Sequence, residues 1–260
     1  MLNGPAFELL ANGDSALDIR FAADPSEALS ERIIALAEVI ESCAQLPAIT
    51  ELVPAYQCLT VCYDPLQLPR GKSGAPDTAF LAQTLQSLTD KVLAQSGRAR
   101  GEHHLIRIPV CYDAAFAPDI QTLCASSGLA VDEIIRRHTA PHYLVHMLGF
   151  TPGFLYLGGL DKSLHCPRKA RPELQVPAGS VGIGGAQTGI YPQATPGGWQ
   201  IIGRTPLALF RPQQEPAFIA CPLDRIQFVA ISAAEFAAID PMSPLEKVPL
   251  DSGIKPEGRR

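Results

Sequence analysis

The chain has 260 residues, of which 47% are hydrophobic and 18% are charged, and its formal net charge is -5. These values predict a globular protein with room for two domains. We expect a cytoplasmic protein that binds neither nucleic acid nor membrane, because the sequence shows no dense basic cluster, signal peptide or apolar run of about 18 residues. The seven cysteines are an odd number, which favours reduced thiols over a disulfide framework.

The N-terminal part of the chain alternates between strand and helix patterns. Two stretches carry apolar residues at helical spacing, and the first follows the plausible N-cap Ser26. Four shorter stretches have the composition of strands. Strands are expected at residues 7–10, 16–21, 49–54 and 56–63, and helices at residues 26–43 and 77–95. This order predicts an α+β N-terminal domain in which two helices lie on a small antiparallel sheet.

Residues 95–101 are polar, contain glycine and lack periodicity, so they predict a domain boundary, and the first domain is expected to span residues 1–98. A mainly-β barrel is expected over residues 99–235, because glycine and proline recur there between short β-branched and aromatic stretches. Further strands are expected at residues 104–110, 217–220 and 225–231, and helices at residues 118–127, 131–137 and 232–240. Residues 236–260 are expected to be a tail or an arm on a partner.

The most glycine-rich stretch, residues 179–189, holds five glycines and no acidic residue. Such a loop is able to expose main-chain N–H groups to an anion or a planar ligand. The alternative is that the glycines serve barrel corners and bulges. A phosphate-binding P-loop is excluded because Gly185 and Ala186 follow Gly184 where lysine and serine or threonine are required. A dinucleotide fingerprint is excluded because Gln187 occupies the position of its third glycine.

Polar side chains and one tryptophan surround this stretch in the sequence. They are Gln187, Thr188, Tyr191, Trp199, Gln200 and Arg204. A few polar groups, an aromatic wall and exposed amides are typical of a small-molecule pocket. The alternative is that Trp199 belongs to the core and that Arg204 pairs with a surface carboxylate.

His138 precedes the glycine-rich half, where it is expected to act as a proton carrier or to cap the preceding helix. His138, His142 and His146 step by four, but Pro141 interrupts any helix that would align them on one face. Cys58 and Cys62 would lie about 13 Å apart along a strand, too far for one zinc ion. No tightly bound metal is therefore expected.

Four motifs together resemble one known family. They are residues 147–157, 167–172, 176–192 and 195–205. They closely resemble the B-subunit family of 5-oxoprolinase, which is also labelled allophanate hydrolase subunit 1 and sporulation-kinase inhibitor. The resemblance covers nearly the whole chain and implies a small α+β domain followed by a cyclophilin-like β-barrel. It departs at residues 221–224, where the chain has Cys-Pro-Leu-Asp and the family has Arg-Pro-Gly-Asp.

The resemblance implies one part of a multi-subunit enzyme that uses ATP, with magnesium, to open the lactam of 5-oxo-L-proline to L-glutamate. The implied partners are the A-subunit of 5-oxoprolinase and its C-subunit, a companion protein that is also cyclophilin-like. Two alternatives remain at this stage: a regulatory protein that binds a histidine kinase, and a carboxyltransferase or allophanate-related part of a urea-processing enzyme.

The site residues expected from the motifs fall into two groups. Those expected to take part in catalysis are His138, Arg168 and Arg204. Those expected to bind substrate or nucleotide are Gly184, Gly185, Gln187, Thr188, Tyr191 and Trp199.

Overall fold

A computed structural model describes residues 6–95 and 101–250, so most of the expected boundary at residues 95–101 lies outside the described residues. The chain divides into two compact units, residues 1–101 and residues 102–260. Among the described residues, no helix combines the length and the apolar character needed to cross a membrane.

The first unit is a four-stranded antiparallel sheet with two helices, which confirms the predicted α+β arrangement. Its elements are β1 Phe7–Ala11, β2 Ala16–Phe21, α1 Glu27–Glu41, β3 Ile49–Pro54, β4 Cys58–Tyr63 and α2 Thr78–Ala94. The strand order is β1-β2-β4-β3. Each helix begins at a side-chain cap: Ser26 accepts from the N–H of Leu29, and Asp77 accepts from the N–H of Phe80. Apolar residues of both helices and of the sheet form one core.

The second unit contains ten strands and three α-helices among the described residues. They are β5 His104–Cys111, α3 Ile120–Ser127, α4 Val131–Thr139, β6 Tyr143–Leu148, β7 Leu155–Gly158, β8 Glu173–Val176, β9 Ser180–Gly184, β10 Gln187–Ile190, β11 Thr195–Gly197, β12 Gln200–Arg204, β13 Arg225–Ile231, α5 Ala233–Ala238 and β14 Glu246–Pro249.

Seven of these strands close into a barrel. Their order is β12-β9-β10-β7-β6-β13-β5, and β12 returns to β5 through Arg204 and Cys111. The sheet is mixed because β13 runs parallel to β5, whereas the other neighbours in the ring are antiparallel. A closed ring leaves its own strands few free edges. The expected mainly-β barrel is confirmed.

The C-terminal segment contains the helix expected within residues 232–240 and, beyond it, a strand where a tail was expected. Helix α5 begins with a capping box between Ser232 and Glu235, and β14 pairs antiparallel with β5 from Glu246 to Pro249. Because β14 continues the barrel sheet, part of the expected tail belongs to the second unit. Residues 251–260 lie outside the described residues.

Candidate functional site

The wall formed by β9 and β10 separates two different environments. Successive side chains in a strand point to opposite faces. Val181, Ile183 and Ile190 face inward and join the barrel core. The outward positions of the same hairpin are occupied by Gly182, Gly184 and Gly189.

These three outward glycines leave room for the side chain of Trp199, most tightly at Gly184. A Cβ added at Gly184 would lie 2.5 Å from Trp199 Nε1, and one added at Gly189 would lie 3.0 Å from Trp199 Cζ3. A Cβ at Gly182 would lie 3.1 Å from Trp199 Cβ. The glycines therefore form a flat floor on which one aromatic ring packs. For these three positions the structural interpretation replaces the anion-binding one.

The main chain of the hairpin is also not free to cradle a phosphate. The N–H of Gly185 donates to the carbonyl of Cys166 at 2.7 Å, and the N–H of Cys166 donates back to Gly185 at 3.1 Å. Gln187, half-buried, begins β10 directly opposite Gly184 in the hairpin ladder. The expected nucleotide contacts of Gly184 and Gly185 do not fit this arrangement, because a phosphate cradle needs unpaired N–H groups.

Trp199 is part of a cluster on the outer face that we call the aromatic patch. Its members are Phe150, Phe154, Tyr156, Tyr191 and Trp199. The Phe154 ring stands edge-on to its neighbours, with centroids 5.5 Å from Trp199 and 5.4 Å from Tyr191. Edge-to-face contacts of this kind are favourable and hold the rings in one arrangement. Phe154, Tyr191 and Trp199 are buried, so the patch is rigid beneath its surface.

Phe150 is the exception within the patch. Its side chain is 59% exposed, and its backbone has a φ of 67°. The left-handed region costs a residue with a Cβ about 1–2 kcal/mol. A phenylalanine in the left-handed region that lies exposed beside a buried aromatic cluster is a candidate for a functional surface.

Arg168 lies above the patch. Its guanidinium carbon is 5.8 Å from the centroid of the Trp199 ring, within the range of a cation–π contact, and its side chain is exposed. The neighbouring Lys169 anchors this segment through an ion pair with Asp119 at 2.7 Å and a second with Glu173 at 3.2 Å. Burial alone would lower the pKa of Lys169, but the hydrogen bonds to both carboxylates outweigh it and raise that pKa. The structure thus brings Arg168 and Trp199 together.

His138 lies on the inner side of the wall, fully buried. Its Nε2 is 2.9 Å from the hydroxyl of Thr188, which itself donates to the carbonyl of Gly182 at 3.0 Å. Since a hydroxyl has one proton, Thr188 accepts from Nε2–H, and Nδ1 accepts from the hydroxyl of Tyr112 at 2.7 Å. Burial lowers the pKa of His138 to about 3.

This placement corrects two expectations. His138 is neutral at ordinary pH and has no contact with solvent, which argues against a proton carrier at the entrance of a site. Thr188 is fully buried and uses its hydroxyl in the same network, so it has nothing to offer a ligand.

Arg204 is also separated from the patch. In the β9–β12 ladder it lies opposite Ser180, whereas Gln200, next to Trp199, lies opposite Ile183. Four residues along a strand span about 13 Å. The Nε of Arg204 donates to the carbonyl of Ala178 at 2.7 Å, so it pairs with main chain and not with a surface carboxylate.

Tyr191 belongs to the aromatic patch, as a residue near the expected site, but its side chain is buried within the patch and does not lie on its surface. It is 2% exposed, and a Cβ at Gly197 would lie 2.5 Å from its hydroxyl. Burial raises the pKa of its hydroxyl. Tyr191 therefore supports the rings around it and does not reach a ligand.

The sequence pattern missed several residues of this region. Phe154 lies just before β7 and Tyr156 lies within it, and their spacing of two residues was a local signal that both rings lie on one face. No local signal was available for the ion pair between Asp119 and Lys169, which joins segments far apart in the chain.

Two recesses in the structure lie elsewhere. One of about 560 Å³ is lined by Leu9 and by residues of α2, and the other, of about 470 Å³, by Arg107, Thr139, Glu246 and residues of β13. Neither includes a residue of the aromatic patch. The candidate site is thus an outward surface with one exposed ring and one arginine.

Comparison with known proteins defines the class of protein to which the chain belongs. Residues 7–220 match the family model described as carboxyltransferase domain, subdomain C and D. The chain is 41% identical over 230 residues to the 5-oxoprolinase B-subunit of Bacillus subtilis (strain 168), covering 87% of this chain and 93% of that protein. It is 39% identical over 217 residues to the 5-oxoprolinase B-subunit of Escherichia coli O157:H7, covering 84% and 93%.

The chain belongs to the B-subunit family of 5-oxoprolinase. The crystal structure of TTHA0988 is similar to it, with 34% sequence identity and a TM-score of 0.69. That match covers 88% of this chain and 41% of TTHA0988, so the chain spans about two fifths of the length of that larger protein.

Proposed function

We propose that this chain is the B-subunit of an ATP-dependent 5-oxoprolinase and contributes to opening 5-oxo-L-proline to L-glutamate within a complex with the A- and C-subunits. The family membership supports this proposal. The observation that carries the role of the surface is Phe150, which is exposed and strained at the edge of a rigid aromatic patch beside Arg168.

The aromatic patch is the surface on which the companion C-subunit packs in this proposal. Exposed Phe150 supplies an apolar anchor, and Arg168 supplies a cation next to it. Leu174 in β8 is 89% exposed, and Val176 at the end of the same strand is buried in the cluster that contains Phe154, Tyr191 and Trp199. Aromatic residues and arginine are enriched at the centres of protein interfaces, where they contribute most of the binding energy.

Arg168 is the residue through which the chain contributes to substrate binding. 5-Oxoproline carries a carboxylate, and a guanidinium binds a carboxylate through two parallel hydrogen bonds. The side chain is exposed above Trp199, so it is available to a ligand at the junction of two proteins of the complex. The ion pairs of Lys169, the next residue, hold this segment of the chain in place.

ATP supplies a phosphoryl group that is transferred to the carbonyl oxygen of the lactam, which makes the poorly electrophilic carbonyl carbon open to attack by water. We place the nucleotide and its magnesium on another protein of the complex, because the N–H groups of Gly185 and Cys166 are paired with carbonyls of this chain. The part of this chain is then to complete the substrate site and to orient the lactam.

A reconstitution assay tests the proposal. Glutamate release from 5-oxoproline and ATP is measured with the A- and C-subunits alone and after this chain is added, and we expect release only with all three. Arg168→Ala should lower kcat/KM more than about 10-fold, whereas Arg171→Ala, also at an exposed arginine, should not. Release that is independent of this chain would overturn the proposal, and binding of a histidine kinase in its place would favour the regulatory alternative.

A further inference from the structure

A second group of reactive side chains lies away from the aromatic patch. His103, Cys221 and Asp224 each offer a ligand atom, and these atoms all lie within 4.8 Å of one another. His103 immediately precedes β5, and the turn of residues 221–224 immediately precedes β13. Because β13 runs parallel to β5 with Arg225 opposite Leu105, the starts of the two strands lie side by side.

The imidazole of His103 has no partner among the residues that the structure describes. Both ring nitrogens are inaccessible to solvent and neither forms a hydrogen bond. Leaving a buried polar atom unpaired costs about 1–3 kcal/mol, so such atoms call for an explanation. A bound ion that takes one nitrogen as ligand is one of the few explanations that physical chemistry offers.

Asp224 brings a negative charge to the same place. Its carboxylate is 2% exposed and accepts from the N–H of His104 at 2.7 Å, the N–H of Cys221 at 2.9 Å and the Sγ–H of Cys221 at 3.3 Å. All three are neutral donors, and the Nδ1 of His104 lies 3.8 Å away. A buried carboxylate with neutral partners gains from binding a cation.

We propose that His103, Cys221 and Asp224 bind a divalent cation of the zinc type, with a fourth position open to water. Thiolate and imidazole ligands favour Zn²⁺ or Co²⁺, whereas Mg²⁺ and Ca²⁺ favour oxygen ligands. Tetrahedral zinc bonds to sulfur and oxygen place these two atoms about 3.5 Å apart, and here Cys221 Sγ and Asp224 Oδ2 are 3.3 Å apart. On binding, the metal replaces the thiol proton of Cys221, which is released to solvent.

Main-chain hydrogen bonds hold the turn of residues 221–224 in position independently of an ion. The N–H of Leu223 donates to the carbonyl of Val145 at 2.8 Å, and the N–H of Val145 donates to the carbonyl of Asp224 at 2.9 Å. These bonds fix the ligand-bearing turn against β6. The inference concerns a different region from the aromatic patch and does not rest on the proposed enzymatic function.

Metal titration of the full-length chain tests the proposal. After treatment with a chelator, the chain is titrated with Zn²⁺ by calorimetry and with Co²⁺ by absorbance. We expect one equivalent to bind, a sulfur-to-cobalt charge-transfer band to appear, and the melting temperature to rise with Zn²⁺. Mg²⁺ should not compete.

Three variants decide whether the named residues hold the ion. Cys221→Ser should remove the cobalt band and weaken Zn²⁺ binding more than about 100-fold, since loss of an outer partner alone costs 10–100-fold. His103→Gln should weaken binding by at least about 10-fold. Cys43→Ser, at a half-buried cysteine of the other unit, is the control and should bind like the unchanged chain. Equal affinity in the Cys221→Ser chain, or no saturable binding by the unchanged chain, would overturn the proposal.

Discussion

The inner and outer faces of the β9–β10 wall differ in how their polar and aromatic groups are used. On the inner face, His138 and Thr188 satisfy each other in a sealed network with Tyr112. On the outer face, buried rings end in the exposed Phe150, with Arg168 above them. Thr188, a polar residue of the glycine-rich stretch, therefore serves the core, whereas the exposed ring and the exposed cation lie on the outer face.

Replacing Thr188 with valine should have the largest effect on stability. Valine preserves the shape but leaves the Nε2–H of His138 without its acceptor in the core and removes the hydrogen bond to the carbonyl of Gly182. The free energy of unfolding should fall by about 2–5 kcal/mol, as measured by urea denaturation. Thr195→Val, at a partly exposed position in β11, is the control and should change it by less than about 0.5 kcal/mol. An unchanged Thr188→Val protein would show that the inner network is not structural.

The Gly184→Ala variant tests the glycine floor of the outer face. The added Cβ would lie 2.5 Å from Trp199 Nε1, so the indole must move. We expect a loss of about 1–3 kcal/mol and a shift in the fluorescence of Trp199, the single tryptophan of the chain. At Gly71, in the first unit, the nearest atom that an added Cβ would meet outside the adjacent residues is the carbonyl oxygen of Ala75 at 3.7 Å, so Gly71→Ala should leave the fluorescence unchanged. Identical spectra for both variants would contradict the packing role of Gly184.

The free energy of unfolding should fall as the pH is lowered, because His138 is neutral in the folded chain. The pKa of His138 is lowered from its ordinary value near 6.5 to about 3. Between these two pH values the imidazole is protonated in the unfolded chain and neutral in the folded chain. The contribution of His138 is therefore complete above pH 6.5 and falls by up to about 1.4 kcal/mol per pH unit as pH drops toward 3. Urea denaturation between pH 6.5 and 5 should show this slope. His138→Gln should flatten it, whereas the exposed His165→Gln should not.

Replacing Phe150 with alanine should have the smallest effect on stability. The ring is 59% exposed, so its removal should cost less than about 1 kcal/mol in the isolated chain. A larger loss in the free energy of unfolding, measured by urea denaturation, would show that Phe150 contributes mainly to the core.

Much of the fold was predictable because its causes are local. The caps Ser26 and Asp77 precede helices with clear periodicity, and the glycines and prolines of the barrel mark its turns. The pairing of β14 with β5 was not predictable, because the short segment Glu246–Pro249 is exposed and gains its structure from a distant edge.

The site was less predictable because the face of a strand residue depends on register. A shift of one residue exchanges the inner and outer faces, and nothing near Thr188 in the sequence indicates that it points toward His138. The floor under Trp199 likewise required the pairing of β9 with β12. The grouping of His103 with Cys221 depends on the parallel pairing of β5 and β13, which the sequence pattern did not indicate.

We expect the outer face, and not the inner face, to bind the companion C-subunit. The affinity of the purified chain for the C-subunit tests this expectation when it is measured for Phe150→Ala and for Val248→Ala, a control at an exposed apolar residue of β14. We predict that Phe150→Ala weakens association more than about 10-fold and that Val248→Ala leaves it unchanged. Equal affinity for the unchanged chain and the Phe150→Ala chain would contradict the account.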